Sequence, residues 1–427
     1  MTRLLSILVF ALVAGCSAGR SEPAAAENAL SRLPSDVVHD WNEHTIAAAT
    51  THDQYQDPLF ASRVLAMVNV AMHDAINASG QRSYLGYAYK ELDRAAHPIA
   101  AAASAAHRVL SKVYPKQAAD LDTKLAAALE RLPRVRSKAR GVEVGVKAGD
   151  AIVALRADDR NDVSTPYAPG SDAGDYQLTT PDLIGRPGWQ HVTTWALDSA
   201  DQFRPSAPPA LESAEYAADY DEVKSKGRTD SSERSADETS YAHFWYEFSE
   251  RGWNRVASVA AKQEKLGLAA TARLFALVQM ALADAYIAGW DAKFHYDFWR
   301  PITAIHAADR DRNPATEPDA DWSPLLPTPP VQDYPSTHSA LGAAGAEVLA
   351  RFFGERGDAI SFSMTSSTAL EPNLEMRTFT SFRQAAQENA DSRVVAGLHF
   401  RSACNAGLAL GASIGEHVFE NQLPRYE

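Results

Sequence analysis

Residues 334–354 read YPSTHSALGAAGAEVLARFFG, and their pattern is that of a capped helix. Tyr334 and Pro335 form an extended entry, since proline disfavours helix at the residue before it. Ser336 then stands at the N-cap, followed by a small-residue run of helical character through Phe353. The free amides of that first turn, including those of Thr337 and His338, carry partial positive charge and suit an oxyanion. His338 stands at the rim of the same anion site. Alone, the segment is explained equally well by a capping motif with an incidental histidine.

Helical spacing recurs on both sides of this stretch. Phe60–Ile76 places Leu65, Val68, Met72 and Ile76 on one face, and 99–113, 119–132 and 142–157 read as three more helices. The pattern resumes at 212–226 and 238–248, and runs strongly from Arg255 to Tyr296. Alternating strand-like runs are scarce. The expectation is an all-α protein. Between 158 and 209, proline, glycine, aspartate and threonine crowd together, which predicts a long irregular excursion over one helical assembly. The chain divides into an N-terminal helical part, 36–250, and a C-terminal helical core, 251–427.

The first sixteen residues read as an export signal: Arg3, a mostly apolar Leu4–Val13, then Val13-Ala14-Gly15-Cys16, which resembles a bacterial lipobox. Cys16 is then the lipid-modified first residue of the mature chain, and residues 17–35 a flexible tether. An ordinary secretory signal cut nearby is the alternative. These features predict an exported lipoprotein on the periplasmic side of the outer membrane or at the cell surface, touching membrane only through its anchor. Cys404 is left without a disulfide partner. With 54 acidic and 41 basic side chains the chain is net acidic, which argues against a nucleic-acid partner but not against a small anion.

Two further segments carry chemistry. In KFHYDFWRP, Lys293 and Arg300 lie seven residues apart, nearly two helical turns, so both cations are expected on one helix face. In SRVVAGLHF, Arg393 offers a planar fork suited to oxyanions, and His399 follows six residues later on a close-packed, small-residue helix. Taken singly, each reads as a solvated base or a core histidine. Together they supply three cations, a hydroxyl at a helix N-terminus and two histidines.

The three segments match a signature: lysine, six residues, Arg-Pro; then Pro-Ser-x-His; then Ser-Arg, five residues, histidine. The chain thereby resembles the phosphatidic acid phosphatase type 2 and vanadium haloperoxidase superfamily. AMHDAIN at 71–77, DQFRPSAPPAL at 201–211 and DWSPLLPTPP at 321–330 resemble its bacterial haloperoxidase-like branch. The resemblance implies helices built around two four-helix bundles, with vanadate in the second. It implies His399 as the vanadate ligand, or the nucleophile toward phosphate. Lys293, Arg300, Arg393, the Ser336 hydroxyl and an amide near Thr337 would hold the equatorial oxygens, with His338 as acid–base residue.

Thr337 departs from the usual glycine, and Ala403 stands where relatives often have an aspartate orienting the last histidine. Another carbonyl or carboxylate must then fix the His399 tautomer. Trp290 and Val331 occupy positions of a halide or substrate pocket. The implied reaction is halide oxidation by hydrogen peroxide to hypohalous acid with vanadate as cofactor. The alternatives are an acid phosphatase acting on a phosphate ester without a cofactor, through a phosphohistidine, and a non-catalytic oxyanion-binding lipoprotein.

Overall fold

The computed structural model describes residues 33–80, 82–133 and 136–426. The expected leader, Cys16 and most of the expected tether lie outside the described residues. Thirteen α-helices and one two-stranded sheet are assigned among them. The first group comprises α1 (Asp36–Asp53), α2 (Pro58–Ala78), α3 (Pro98–Val113), α4 (Ala118–Glu130) and α5 (Arg136–Leu155). Two connecting helices follow, α6 (Ala214–Lys226) and α7 (Ala236–Phe244). The second group comprises α8 (Ser249–Gln263), α9 (Leu268–Tyr296), short α10 (Pro301–His306), α11 (Thr337–Phe352), α12 (Phe382–Val395) and α13 (Arg401–Asn421). Strands β1 (Phe362–Thr365) and β2 (Met376–Phe379) pair antiparallel between α11 and α12.

The run expected to be helical from Arg255 to Tyr296 is two helices. Lys265 takes a left-handed backbone (φ 52°) and Gly267 caps α9, so the chain turns at the polar stretch from Lys262 to Lys265. Helix α9 is buried on nearly every side because it sits between the groups, packing on α2 in one and on α11 and α13 in the other. Helices α2 and α9 are each long and apolar enough to cross a membrane by length and composition, but both are core helices here, 94% buried over the apolar window.

Glycines spaced four apart allow the tightest pairings. On α5, Cβ atoms at Gly141, Gly145 and Gly149 would collide with α3; on α13, those at Gly407, Gly411 and Gly415 would collide with α11. Each stripe brings one helix backbone against its partner.

Buried carboxylates tie the irregular segments to this frame. Asp284, inside apolar α9, accepts backbone N–H groups of Trp195, Ala196 and Leu197 at 2.7, 2.8 and 3.2 Å. Asp159 receives Arg63 and Arg156 at 2.6 and 3.0 Å. The excursion over 158–209 is thus irregular as expected, yet anchored at both ends. Asp74 of α2 holds the amides of Tyr87, Ala88 and Tyr89 in the same way.

Candidate functional site

Helix α9 brings Lys293 to the interior, fully buried, on its last turn. The helix stops at Tyr296, where Asp297 adopts φ 49°, and the chain is extended at Arg300 (φ −82°, ψ 154°) ahead of Pro301. The expectation that Lys293 and Arg300 share one helix face is therefore corrected: α9 ends between them, and Arg300 lies in extended chain. They still converge, because Arg300 is also buried and both reach the segment before α11. Lys293 donates to the carbonyls of Gln332 and Asp333, at 2.5 and 3.0 Å, and Arg300 to those of Val331 and Leu398, both at 2.7 Å.

Ser336 is the N-cap of α11, as its sequence predicts. Its oxygen accepts the Ser339 amide at 3.4 Å and the Ser339 hydroxyl at 3.0 Å, so its own O–H is left to donate. The amides of Thr337 and His338 stand in the first turn, where the helix itself offers no acceptor. Thr337 keeps its bulk out of the site: a Cβ added at Gly289 of α9 would lie 2.6 Å from the Thr337 Cγ2, so that methyl fills the space a side chain at 289 would take.

His399 does not lie on a helix. Helix α12 ends at Val395, Gly397 turns the chain at φ 80°, and His399 sits in the connection to α13. Its backbone N–H donates to the Arg393 carbonyl at 3.3 Å, which holds the last two site residues together. The ring is 3% exposed, with Nε2 3.0 Å from Arg300 Nη1. Arg393, also buried, donates to the Trp245 carbonyl at 3.0 Å and lies over the Tyr246 ring.

A cavity of about 400 Å³ opens onto His338 and Arg393, walled by Tyr55, Tyr246, Phe248 and Arg251. Trp290 and Val331 do not line it. Both are buried, the Trp290 indole N–H bonded to the Gly185 carbonyl at 2.9 Å. The expected halide or substrate pocket at these two residues is occupied by the 158–209 excursion.

Sequence reasoning missed Asp333. Its side chain is fully buried, with Oδ1 2.9 Å from His399 Nδ1 and 3.9 Å from Arg300 Nη1. The approach to His399 is close but bent away from good hydrogen-bond geometry, and neither carboxylate oxygen has a hydrogen-bond partner. Its signal in the sequence was weak: one acidic residue three before Ser336, and 66 residues from the histidine it faces.

Charge in this space is under strain. Burial, then the nearby Arg300, hold the Lys293 ammonium well below its ordinary pKa, and burial pushes Arg393 down to about 10. Both histidines are held well below 6.5, first by burial and then by the arginines, so each is neutral. Burial raises the Asp333 carboxyl to about 7 against the pull of Arg300 and Lys293. Three cations thus face a single internal carboxyl, while the Arg393 Nε and His338 Nε2 are buried without partners. An oxyanion entering here would relieve the repulsion and take up the Arg393 donor.

Residues 273–425 match the family model described as the VCPO second helical-bundle domain. A vanadium chloroperoxidase from Curvularia inaequalis is 23% identical, with 84% of this chain and 76% of that protein covered. A bacterial vanadium-dependent iodoperoxidase structure superposes with a TM-score of 0.78 at 26% identity, covering 92% of this chain and 98% of the other. A holo-type bacterial vanadium-dependent chloroperoxidase superposes at 0.68 with 16% identity, over 86% and 91% of the two chains, and shares the fold. The second helical bundle matches the family's own model, and the helical course follows a vanadium-dependent peroxidase along almost its whole length. The chain accordingly carries the family's second helical bundle over residues 273–425 and is an enzyme related to the vanadium-dependent haloperoxidases.

Proposed function

We propose that the chain is a vanadate-dependent haloperoxidase, oxidising a halide with hydrogen peroxide to hypohalous acid. The observation that carries this reading is the convergence of Lys293, Arg300 and Arg393 on a buried, neutral His399 beside the N-terminus of α11. The residues fit vanadate: a tetrahedral oxyanion needs several donors that cannot accept, and Lys293, Arg300, Arg393, the Ser336 hydroxyl and the first-turn amides are such a set. His399, buried among these donors, supplies the imidazole ligand. Bound vanadate supplies a Lewis-acidic centre at which hydrogen peroxide is activated toward halide.

The chain's own groups do the rest. Lys293 spends two hydrogen bonds on backbone carbonyls and keeps a third donor for the anion's oxygens. His338 meets the cavity with an unpartnered Nε2 and exchanges protons with the oxygen leaving toward the halide. The aromatic walls over it limit water at the reacting centre.

The test follows bromination of a phenol dye by hydrogen peroxide, with and without orthovanadate, beside hydrolysis of a chromogenic phosphate ester. Vanadate-dependent bromination lost in His399→Ala supports the proposal. Hydrolysis that vanadate inhibits, without bromination, replaces it with a phosphatase on the same scaffold. Running iodide, bromide and chloride in parallel identifies the halide.

A further inference from the structure

We propose that Arg251, in the wall of the cavity over His338, seats a second substrate, a small aromatic ring bearing a carboxylate, for halogenation in place. The inference rests on the haloperoxidase reading for its chemistry and not for the binding site. The cavity holds about 400 Å³, within the roughly 300–1,000 Å³ of small-molecule sites and far more than a halide ion fills. Its walls are aromatic. The Tyr55 and Phe248 rings stack with centroids 5.8 Å apart, and Tyr246, its hydroxyl spent on the Pro327 carbonyl at 3.0 Å, lines the cavity with them. The Tyr55 wall is strained, since Gln54 and Tyr55 take consecutive left-handed backbones (φ 58° and 59°). The Asp53 carboxylate holds that turn by accepting the Tyr55 and Asp57 amides at 2.8 and 3.2 Å.

Arg251 adds a cation to this apolar wall. Its guanidinium lies 4.9 Å over the Tyr55 ring, and its Nε is buried without a hydrogen-bond partner among the described residues. The Glu247 carboxylate, 4.0 Å away, is already held by Arg255 at 2.7 and 3.0 Å and by the Ser367 hydroxyl at 2.6 Å. Glu250 accepts the Tyr286 hydroxyl at 2.7 Å, and burial raises it to about 7, so near neutral pH it offsets only part of the charge. Arg251 also stands in the first turn of α8, whose N-cap Phe248 offers no side-chain acceptor, so the cation is added where the helix end is already positive. An anion in the cavity removes that conflict. A carboxylate meets the guanidinium as a planar bidentate pair while its ring packs on Tyr55 and Phe248. A bare halide uses neither the fork nor the aromatic wall. Seated there, the ring shares the cavity with His338. A ring carbon takes the halogen of hypohalous acid, the oxygen–halogen bond breaks, and the hydroxide leaves with the ring proton as water.

The experiment uses the full chain, its inner anion site filled with orthovanadate or with inorganic phosphate, and the variants Arg251→Gln and Arg251→Lys. Calorimetry titrates each protein with para-hydroxybenzoate and with its neutral analogue, para-hydroxybenzyl alcohol. Steady-state kinetics follow bromination of the same two acceptors. The wild type should bind the acid about tenfold or more tightly than the alcohol, and Arg251→Gln should lose most of that preference. The ratio of kcat/KM for acid over alcohol should fall by about ten- to a hundredfold in Arg251→Gln, mainly through KM. A ratio is read because any general loss of activity cancels from it. Arg251→Lys should recover part of the preference, since the charge returns without the fork. Equal binding of acid and alcohol by the wild type overturns the proposal, as does an unchanged ratio in Arg251→Gln. If the ratio holds while the bromide KM rises, Arg251 serves the halide and the proposal fails. A chain that oxidises no halide contradicts the haloperoxidase reading instead, and the titration with phosphate in the inner site still decides for or against the carboxylate site.

Discussion

Replacing Gly289 by alanine tests whether the odd threonine of the Pro-Ser-Thr-His segment is accommodated by α9. The new Cβ would lie 2.6 Å from the Thr337 Cγ2, about an ångström inside ordinary carbon–carbon contact. Overpacking of this kind costs about 1–3 kcal/mol, partly offset by the roughly 1 kcal/mol that alanine gains over glycine in a helix interior. The single variant should therefore lose about 0–2 kcal/mol. Thr337→Ser alone removes a buried methyl and should lose about 1 kcal/mol. In the double variant the new methyl occupies the vacated space, the overpacking disappears and the propensity gain remains. Stability should return to or exceed the wild type, a coupling of about 2 kcal/mol. Urea unfolding of the four proteins measures it, with vanadate affinity as a second readout, since displacing α11 also displaces Ser336 and His338. Additivity within about 0.5 kcal/mol, or a double variant weaker than both singles, would refute the reasoning.

Other outcomes follow from the same geometry. Removing the His338 imidazole with alanine should lower halide oxidation by about 10²–10⁴ while vanadate affinity shifts little, measured by steady-state kinetics and calorimetry; parallel losses in both would assign His338 to anion binding. Asp284→Ala strands three backbone amides, those of Trp195 and Leu197 buried, and should destabilise the fold by about 3 kcal/mol or more in urea unfolding, with Asp284→Asn milder. Glu250, buried on α8 with the Tyr286 hydroxyl donating to it at 2.7 Å, is raised by burial from 4.5 to about 7. A carboxyl raised on folding leaves the folded state with the extra proton between these values. Its contribution is therefore favourable below about pH 4.5 and is lost as pH rises to 7, by about 3 kcal/mol. Glu250→Gln should flatten stability across that window, and an unchanged slope would contradict the assignment.

Much of the architecture was legible because helix periodicity is local. Periodicity placed the starts of α2 and α6 within two residues, where the Asp57 carboxylate and Ser213 hydroxyl accept the Phe60 and Tyr216 amides at 3.1 Å. The break between α8 and α9 was missed although the polar stretch Lys262, Gln263, Glu264 and Lys265 and then Gly267 interrupt the apolar run, and one left-handed lysine makes the turn. Among the site residues, Ser336 was placed correctly by its capping chemistry. His399 was placed on a helix because its small neighbours suit one, whereas Gly397 serves a turn at φ 80°. Trp290 and Val331 looked like pocket residues by position, but Gly185 of the excursion covers them, a contact between segments about a hundred residues apart. Asp333 escaped notice for the same reason: its partner is defined by the fold and not by spacing.

The central claim is that His399 and its ring of cations hold vanadate, and a crystal structure of the protein grown with orthovanadate tests it most directly. The account predicts an anomalous vanadium peak within bonding distance of the His399 Nε2, with its oxygens met by Lys293, Arg300, Arg393 and the Ser336 hydroxyl. Vanadium located away from His399, or an anion among the cations with no bond to that nitrogen, would contradict it.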